Sequence, residues 1–392
     1  MKRYRTIVAA LLLFAMLLPL SACGEVENET TQTRETTTAE TKTAGGEEES
    51  AMPLKEYAMG SLRDSIKVLG ERTGFSGDEM LAEWSGSGFE MNVNVGDEGT
   101  DLKMGFRCNY AARWKVYVDG EQWGDRVTTT TGNRKIIVAR GIPAGVHTIR
   151  FVKDSQPNTS RNNYNSILTL ALNGEILTPP EEKGLYLEFI GDGYMTGFGA
   201  LGKSGNSSAV QILEETSVTA ALPYLVSQTM DADYSIVAHS QIGLKVKAGS
   251  FNMPSLYANR YAYRELDVQY EPTRVPDAIV IHLGMDDTLT DLTMGNFIVT
   301  AKDFITSVRD YYGGAKIPVV WLYNTMYHTN RSGEIQALVR YMGGESAGVY
   351  ALEMYYGASG SGTAETDRYP SAEEHQKSAD ILVPFLKDLL GR

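Results

Sequence analysis

Cysteine is nearly absent: the chain holds 2 in 392 residues. That excludes a disulfide-built scaffold and a structural zinc site made of thiolates. Positive charge is also short, with 36 Lys and Arg against 49 Asp and Glu and a net charge of −13. Such a surface repels a phosphate backbone and excludes sequence-independent nucleic-acid binding. Long hydrophobic runs are missing after the N-terminus, so no later segment approaches the roughly 20 apolar residues of a membrane span. What is present suffices for folding: 42% of the residues are hydrophobic, and the length allows two or three domains with cores of their own.

Lys2, Arg3 and Arg5 precede an apolar run from Ile7 to Leu20, and the small residues Ser21 and Ala22 lead to Cys23. This is the pattern of a secretory signal. Leu20-Ser21-Ala22-Cys23 resembles a bacterial lipobox, which implies removal of residues 1–22 and lipidation of Cys23. Losing three of the 36 basic residues and none of the 49 acidic ones takes the net charge from −13 to −16. Residues 23–52 then read as a tether. They are rich in Glu and Thr, hold only Arg34 and Lys42 as basic residues, and cannot form a core. The expected location is extracytoplasmic, at the surface of a bacterial cell membrane, with the lipid as the only membrane contact.

Residues 53–180 alternate with period two in short segments such as Phe89–Val95 and Trp114–Val118, with the turn signal Asp119-Gly120 between strands. The expectation is an antiparallel β-sandwich, jelly-roll-like. Cys108 lies in this pattern as a small core residue, and Tyr110, Trp114 and Trp123 are its candidates for sugar contact. From residue 185 to 392 the rhythm changes. Apolar runs at 185–190, 234–238, 278–283, 319–323 and 349–354 alternate with helical stretches near 208–230, 294–312, 332–342 and 372–390. Five strands buried on both faces predict an α/β/α domain with a parallel five-stranded sheet. Ser371 and Glu374 form a capping-box pattern for the last helix, Gly391 closes it, and Pro384 lies inside it.

Ligands bind such sheets at the carboxyl ends of the strands, which directs attention to Gly191-Asp192-Gly193-Tyr194, His239-Ser240-Gln241, Gly284-Met285-Asp286-Asp287 and Asp367-Arg368-Tyr369-Pro370. At these loops the chain resembles the SGNH (GDSL-type) hydrolases, and more closely carbohydrate esterase family two, whose members join a β-sandwich to an SGNH domain and remove acetyl groups from sugars. The resemblance extends to Trp84–Glu90, Val118-Asp119-Gly120, Gly145–Thr148, Val152-Lys153, Glu188–Asp192, Met253–Tyr257, His282-Leu283-Gly284 and Pro370-Ser371 with His375.

The resemblance implies four chemical positions, and the chain departs at each. The nucleophilic serine of a Gly-Asp-Ser turn is Gly193, which has no oxygen to acylate. The two oxyanion positions, a backbone glycine and an asparagine, are Gln241 and Asp286, and an ionised carboxylate has no proton to donate. The histidine base is Tyr369, whose phenol with a pKa near 10 is a poor base at neutral pH. Arg368 stands where the family tends to have an aromatic residue lining the sugar site. The expectation is a pseudoenzyme with no intact catalytic residue, which binds a cell-surface or plant-type glycan or a protein. The alternative is an active carbohydrate O-deacetylase using a rearranged site, for which Ser240, Thr196 and Ser204 are the available hydroxyls. A solute-capturing lipoprotein for a transporter is a third class, disfavoured because the chain pairs a sandwich with a single α/β lobe.

The candidate cleft residues are Asp192, Tyr194, Ser240, Asp287, Asp367, Arg368 and His375. The carboxylates of Asp192, Asp286, Asp287 and Asp367 suggest either an acidic rim for a cation or amino-bearing ligand, or loop hydrogen bonds. His375, six residues beyond Tyr369, and His239 and His282, at strand ends, read as packed residues. The glycine-rich run 357–362 lacks the Gly-Lys-Ser/Thr ending of a phosphate loop. No metal or cofactor is expected.

Overall fold

The computed structural model describes residue 50 and residues 53–160, 163–202, 208–249, 251–262, 268–289, 293–323, 331–354 and 369–392. The signal, Cys23 and nearly all of the tether lie outside these residues, as do Ser204, the 357–362 run, Asp367 and Arg368.

Period-two alternation produces the first half. In Ala112–Val118 the residues Ala112, Trp114, Val116 and Val118 are buried while Arg113, Lys115 and Tyr117 between them are partly exposed. Trp114 stacks on Phe151 with ring centroids 4.9 Å apart. Antiparallel sheets of six and seven strands face each other across this core. Cys108 sits within it, and burial pushes its thiol up to about 11.

Continuous apolar runs produce the second half. Tyr186–Gly191 is buried at every residue and lies in a five-stranded sheet between Asp233–Ala238 and Ala278–His282, with Val319–Tyr323 and Val349–Glu353 beyond. The pairing of each neighbour is parallel. Helices α1 (Gly193–Thr196), α2 (Ala209–Glu215), α3 (Leu222–Thr229), α4 (Met253–Tyr257), α5 (Met294–Tyr311), α6 (Ser332–Met342) and α7 (Ala372–Leu390) complete the domain. One face of the sheet buries Ile190, Ile281 and Trp321 with α4, α5 and α6; the other buries Phe189, Val280 and Leu322 with α3 and α7.

The helical stretch expected at 208–230 is instead two helices separated by a 3-10 turn at Val218–Ala220. The cause lies in the sandwich. Buried Asp154 accepts hydrogen bonds from Ser217 Oγ (2.9 Å) and from the Thr219 amide (2.7 Å), which takes these groups out of a helical ladder. Pro223 then supplies a fresh helix start at α3.

Glu47–Arg392 form one compact unit, and charged groups bind its two halves. Arg72 from the sandwich is 1% exposed. Its guanidinium donates to the carbonyls of Tyr257 (2.7 Å) and Asn259 (2.6 Å), and faces the Tyr270 ring at 3.5 Å. Glu188, on the central strand, takes the hydroxyls of Tyr257 and Tyr312 at 2.9 Å each and stands 3.9 Å from the guanidinium. Gly86 is a close-approach glycine: its φ is +72°, and a Cβ there would lie 2.8 Å from the Tyr234 ring.

Candidate functional site

Parallel registration sets Gly191 opposite both Ala238 and His282, so the loops after these three strands leave the sheet at one edge. Asp192 caps α1, its carboxylate accepting from the Tyr194 amide at 3.0 Å. The same oxygen accepts from His282 Nδ1 at 2.7 Å, with both side chains fully buried. This pair locks the first loop to the third.

Gly193 begins α1. A Cβ on it would meet the Tyr369 ring at 2.6 Å from Cε1 and 2.8 Å from Cζ, with the hydroxyl at 3.1 Å. The tyrosine fills the volume a side chain at 193 would need. Its ring is 6% exposed and packs edge-on against Phe198, centroids 4.9 Å apart. The start of α7 is pinned beside it. Ser371 and Glu374 form the capping box, and the Ala372 amide donates to the Ala200 carbonyl at 2.9 Å.

In the second loop, Gln241 is exposed and has φ +61°, a left-handed conformation that glycine adopts without strain. Ser240 is 4% exposed, and its amide donates to Gln156 Oε1 of the sandwich at 2.9 Å. Asp287 is buried, and its carboxylate collects the amides of Leu244, Lys245 and Val246 at 2.7 to 2.9 Å. Asp286 opens the 3-10 turn Asp286–Leu289.

These positions correct part of the expected cleft. Asp192, Tyr194, Asp287 and His375 are all 0% exposed. One oxygen of Asp192 and both of Asp287 are held by loop amides and an imidazole, and at 0% exposure neither carboxylate reaches an open rim. Tyr194 is sandwiched between imidazoles, its ring centroid 4.6 Å from that of His282 and 5.0 Å from that of His375. His375 accepts from the Leu222 amide at 3.4 Å, and burial lowers its pKa to about 3. Thr196 is buried, its hydroxyl directed to the Gly193 carbonyl at 3.1 Å. Trp114 is in the sandwich core and unavailable to a sugar. Among the described residues no group of three or more His, Cys, Asp or Glu is placed to hold a metal.

Beside this edge lies a cleft of about 390 Å³ between the halves. The sandwich supplies Tyr110 and the loop Ser155–Thr159; the α/β half supplies Phe198, residues of α2, and His239–Gln241. Tyr110 is fixed there by Lys153, whose ammonium donates to its hydroxyl at 2.7 Å. Of the expected cleft residues that are described, Ser240 alone lines it, joined by Gln241. Sequence reasoning missed Gln156 and Phe198, because a polar loop and a residue after a short helix give no periodic signal.

Residues 70–180 match the domain described as carbohydrate esterase 2 N-terminal. The sandwich is similar to that domain over this span. Solved structures extend the likeness to both halves. A family two carbohydrate esterase from Clostridium thermocellum, in complex with cellohexaose, is 22% identical, with a TM-score of 0.71 over 83% of this chain and 99% of that one. The acetyl xylan esterase Est2A from Butyrivibrio proteoclasticus is 19% identical, with a TM-score of 0.71 over 86% and 99%. A carbohydrate esterase whose active site displays divergent catalytic and non-catalytic binding functions is also 19% identical, with a TM-score of 0.63 over 86% and 98%. No curated protein matches the sequence. The described chain therefore shares the fold of these esterases, an antiparallel sandwich followed by an α/β domain with a parallel five-stranded sheet. Within that fold, a side chain at 193 would meet the ring of Tyr369.

Proposed function

We propose that the protein is a lipid-tethered binding protein on a family two esterase scaffold, no longer an ester hydrolase, with a cell-surface or plant-type glycan as its partner. The observation that carries this reading is the Tyr369 ring lying within 2.6 Å of the place a Cβ on Gly193 would take. A phenol there replaces the base and occupies the nucleophile's space together, so one side chain removes two functions. The buried Asp192–His282 pair at 2.7 Å serves the loop frame, since neither group reaches solvent. Gln241 and Asp286, at the oxyanion positions, add to the reading, because loss of one such donor alone costs about a hundred- to a thousandfold in rate. The similar esterase solved with cellohexaose supports a glycan as the partner. Cys23 supplies the anchor in this reading, and Cys23→Ala is expected to move the protein out of the membrane fraction.

The test is turnover of 4-nitrophenyl acetate and an acetylated xylo-oligosaccharide by the purified chain beside the variant Gly193→Ser, Gln241→Gly, Asp286→Asn, Tyr369→His. Turnover only in the fourfold variant is expected. Robust turnover by the unaltered chain, lost on Ser240→Ala, would overturn the reading in favour of a rearranged O-deacetylase.

A further inference from the structure

A second cavity, also of about 390 Å³, opens at the opposite edge of the parallel sheet. Its walls include Tyr186 and Asp233, the first residues of their strands, which pair in register. Five residues of extended chain separate Tyr186 from Gly191, so the cavity lies about 17 Å from the loops around Gly193. The sandwich closes it with residues 66–71, and the connection between the halves adds Pro179 and Pro180. Its volume falls in the range of small-molecule sites.

Some of the charges in this wall are already paired. Asp233 holds Lys67 at 2.6 Å and Arg274 at 2.8 Å. Three other groups in the wall are positioned but not engaged. The backbone of Arg260 is fixed, its carbonyl accepting from Trp84 Nε1 at 2.9 Å and its amide donating to the Val268 carbonyl at 3.0 Å, yet its buried Nε makes no hydrogen bond and no carboxylate among the described residues pairs with the guanidinium. Glu71 is anchored through Oε1, which accepts from the Thr273 amide at 2.8 Å and the Thr273 hydroxyl at 2.6 Å; Oε2 is left for a ligand. Tyr186 is 2% exposed, and its hydroxyl makes no hydrogen bond. Burial, then the charge of Glu188 and more weakly that of Glu71, hold this phenol well above its ordinary pKa, so it keeps its proton.

A guanidinium and a carboxylate thus line one cavity without pairing with each other. A ligand carrying a single charge would satisfy one of them and face the other as a like charge; a ligand carrying both signs satisfies the two together. Ile66, Leu69, Pro179 and Pro180 supply an apolar part of the lining. We propose that this cavity binds a zwitterionic α-amino acid with an apolar side chain, its carboxylate on Arg260, its ammonium on Glu71 and the Tyr186 hydroxyl, and its side chain against the prolines. The site goes beyond the glycan reading and does not depend on it.

Calorimetric titration of the detergent-solubilised full chain with leucine, methionine and phenylalanine tests it, each beside its N-acetyl derivative, which lacks the ammonium, and its amide, which lacks the carboxylate. At least one amino acid is expected to bind, and both of its derivatives to bind at least tenfold more weakly. Arg260→Gln and Glu71→Gln are each expected to weaken binding at least tenfold, the loss of one charged hydrogen bond; glutamine at 71 keeps an oxygen for Thr273. Tyr186→Phe is expected to weaken binding several-fold without lowering the melting temperature of the unliganded chain. Silence with all three amino acids, a derivative that binds as tightly as its parent, or binding that Arg260→Gln and Glu71→Gln both leave unchanged would overturn the proposal. A lowered melting temperature in Tyr186→Phe would show the hydroxyl engaged within the protein and would count against it. The acetate assay reads the other edge of the sheet, so the two readings fail separately.

Discussion

At the scale of single residues, the decisive fact is that positions 193 and 369 share one volume. Gly193→Ser alone drives a side chain into the Tyr369 ring and is expected to cost about 1 to 3 kcal/mol, as overpacking does. With Tyr369→His in the same chain the ring is smaller, and the double variant should be more stable than the sum of the singles by about 1 kcal/mol or more. Denaturant midpoints of the four chains give this coupling; strict additivity would mean that the two positions do not compete for space. Gln241 carries a different strain. At φ +61° a side chain costs about 1 kcal/mol, so Gln241→Gly is expected to raise stability by roughly that amount and Gln241→Val, β-branched at a positive φ, to lower it. A thermal melt of the two variants reads both signs.

At the scale of elements, the break between α2 and α3 is made by a residue 63 positions away in sequence. Asp154 accepts from Ser217 and Thr219 and forms an ion pair with Arg126, Nε to carboxylate oxygen 2.8 Å, while itself fully buried. Asp154→Ala removes the counter-charge of Arg126 and the acceptor of the Ser217 hydroxyl and the Thr219 amide, and is expected to cost about 3 kcal/mol. Ser217→Ala removes one hydroxyl and should cost about 1 kcal/mol. Hydrogen exchange should localise the loss to residues 216–220 and the adjoining sandwich loop. An Asp154→Ala chain with unchanged exchange there would show that Pro223 alone sets the break.

At the scale of the whole molecule, two buried imidazoles set a pH dependence. Burial holds His239 at about 4 and His375 at about 3, below the 6.5 of a free histidine. The fold excludes the proton that the unfolded chain accepts, so these groups cost no stability above about pH 6.5. Stability is then lost as pH falls toward 4. Each contributes a slope of about 1.4 kcal/mol per pH unit in that window. Urea unfolding between pH 7.5 and 4.5 is expected to show proton uptake on unfolding, reduced by about one proton in His375→Gln. An unchanged slope in that variant would place the dependence on the carboxylates.

The two-layer plan was readable in the sequence because burial periodicity is local. Alternation in Ala112–Val118 and unbroken apolar runs such as Tyr186–Gly191 each record which faces of a strand meet a core. The residue types at Gly193, Gln241, Asp286 and Tyr369 were equally readable, since residue identity needs no coordinates. What the sequence could not hold was proximity. That Asp192 and Asp287 would be consumed by backbone amides and an imidazole, that His375 would lie behind Tyr194, and that Ser240 and Gln156 would meet in one cleft depends on contacts between distant segments. The filling of the space at Gly193 is the sharpest case: position 193 has no side chain, Tyr369 has a ring, and only tertiary packing, which forbids two groups in one volume, brings the two together.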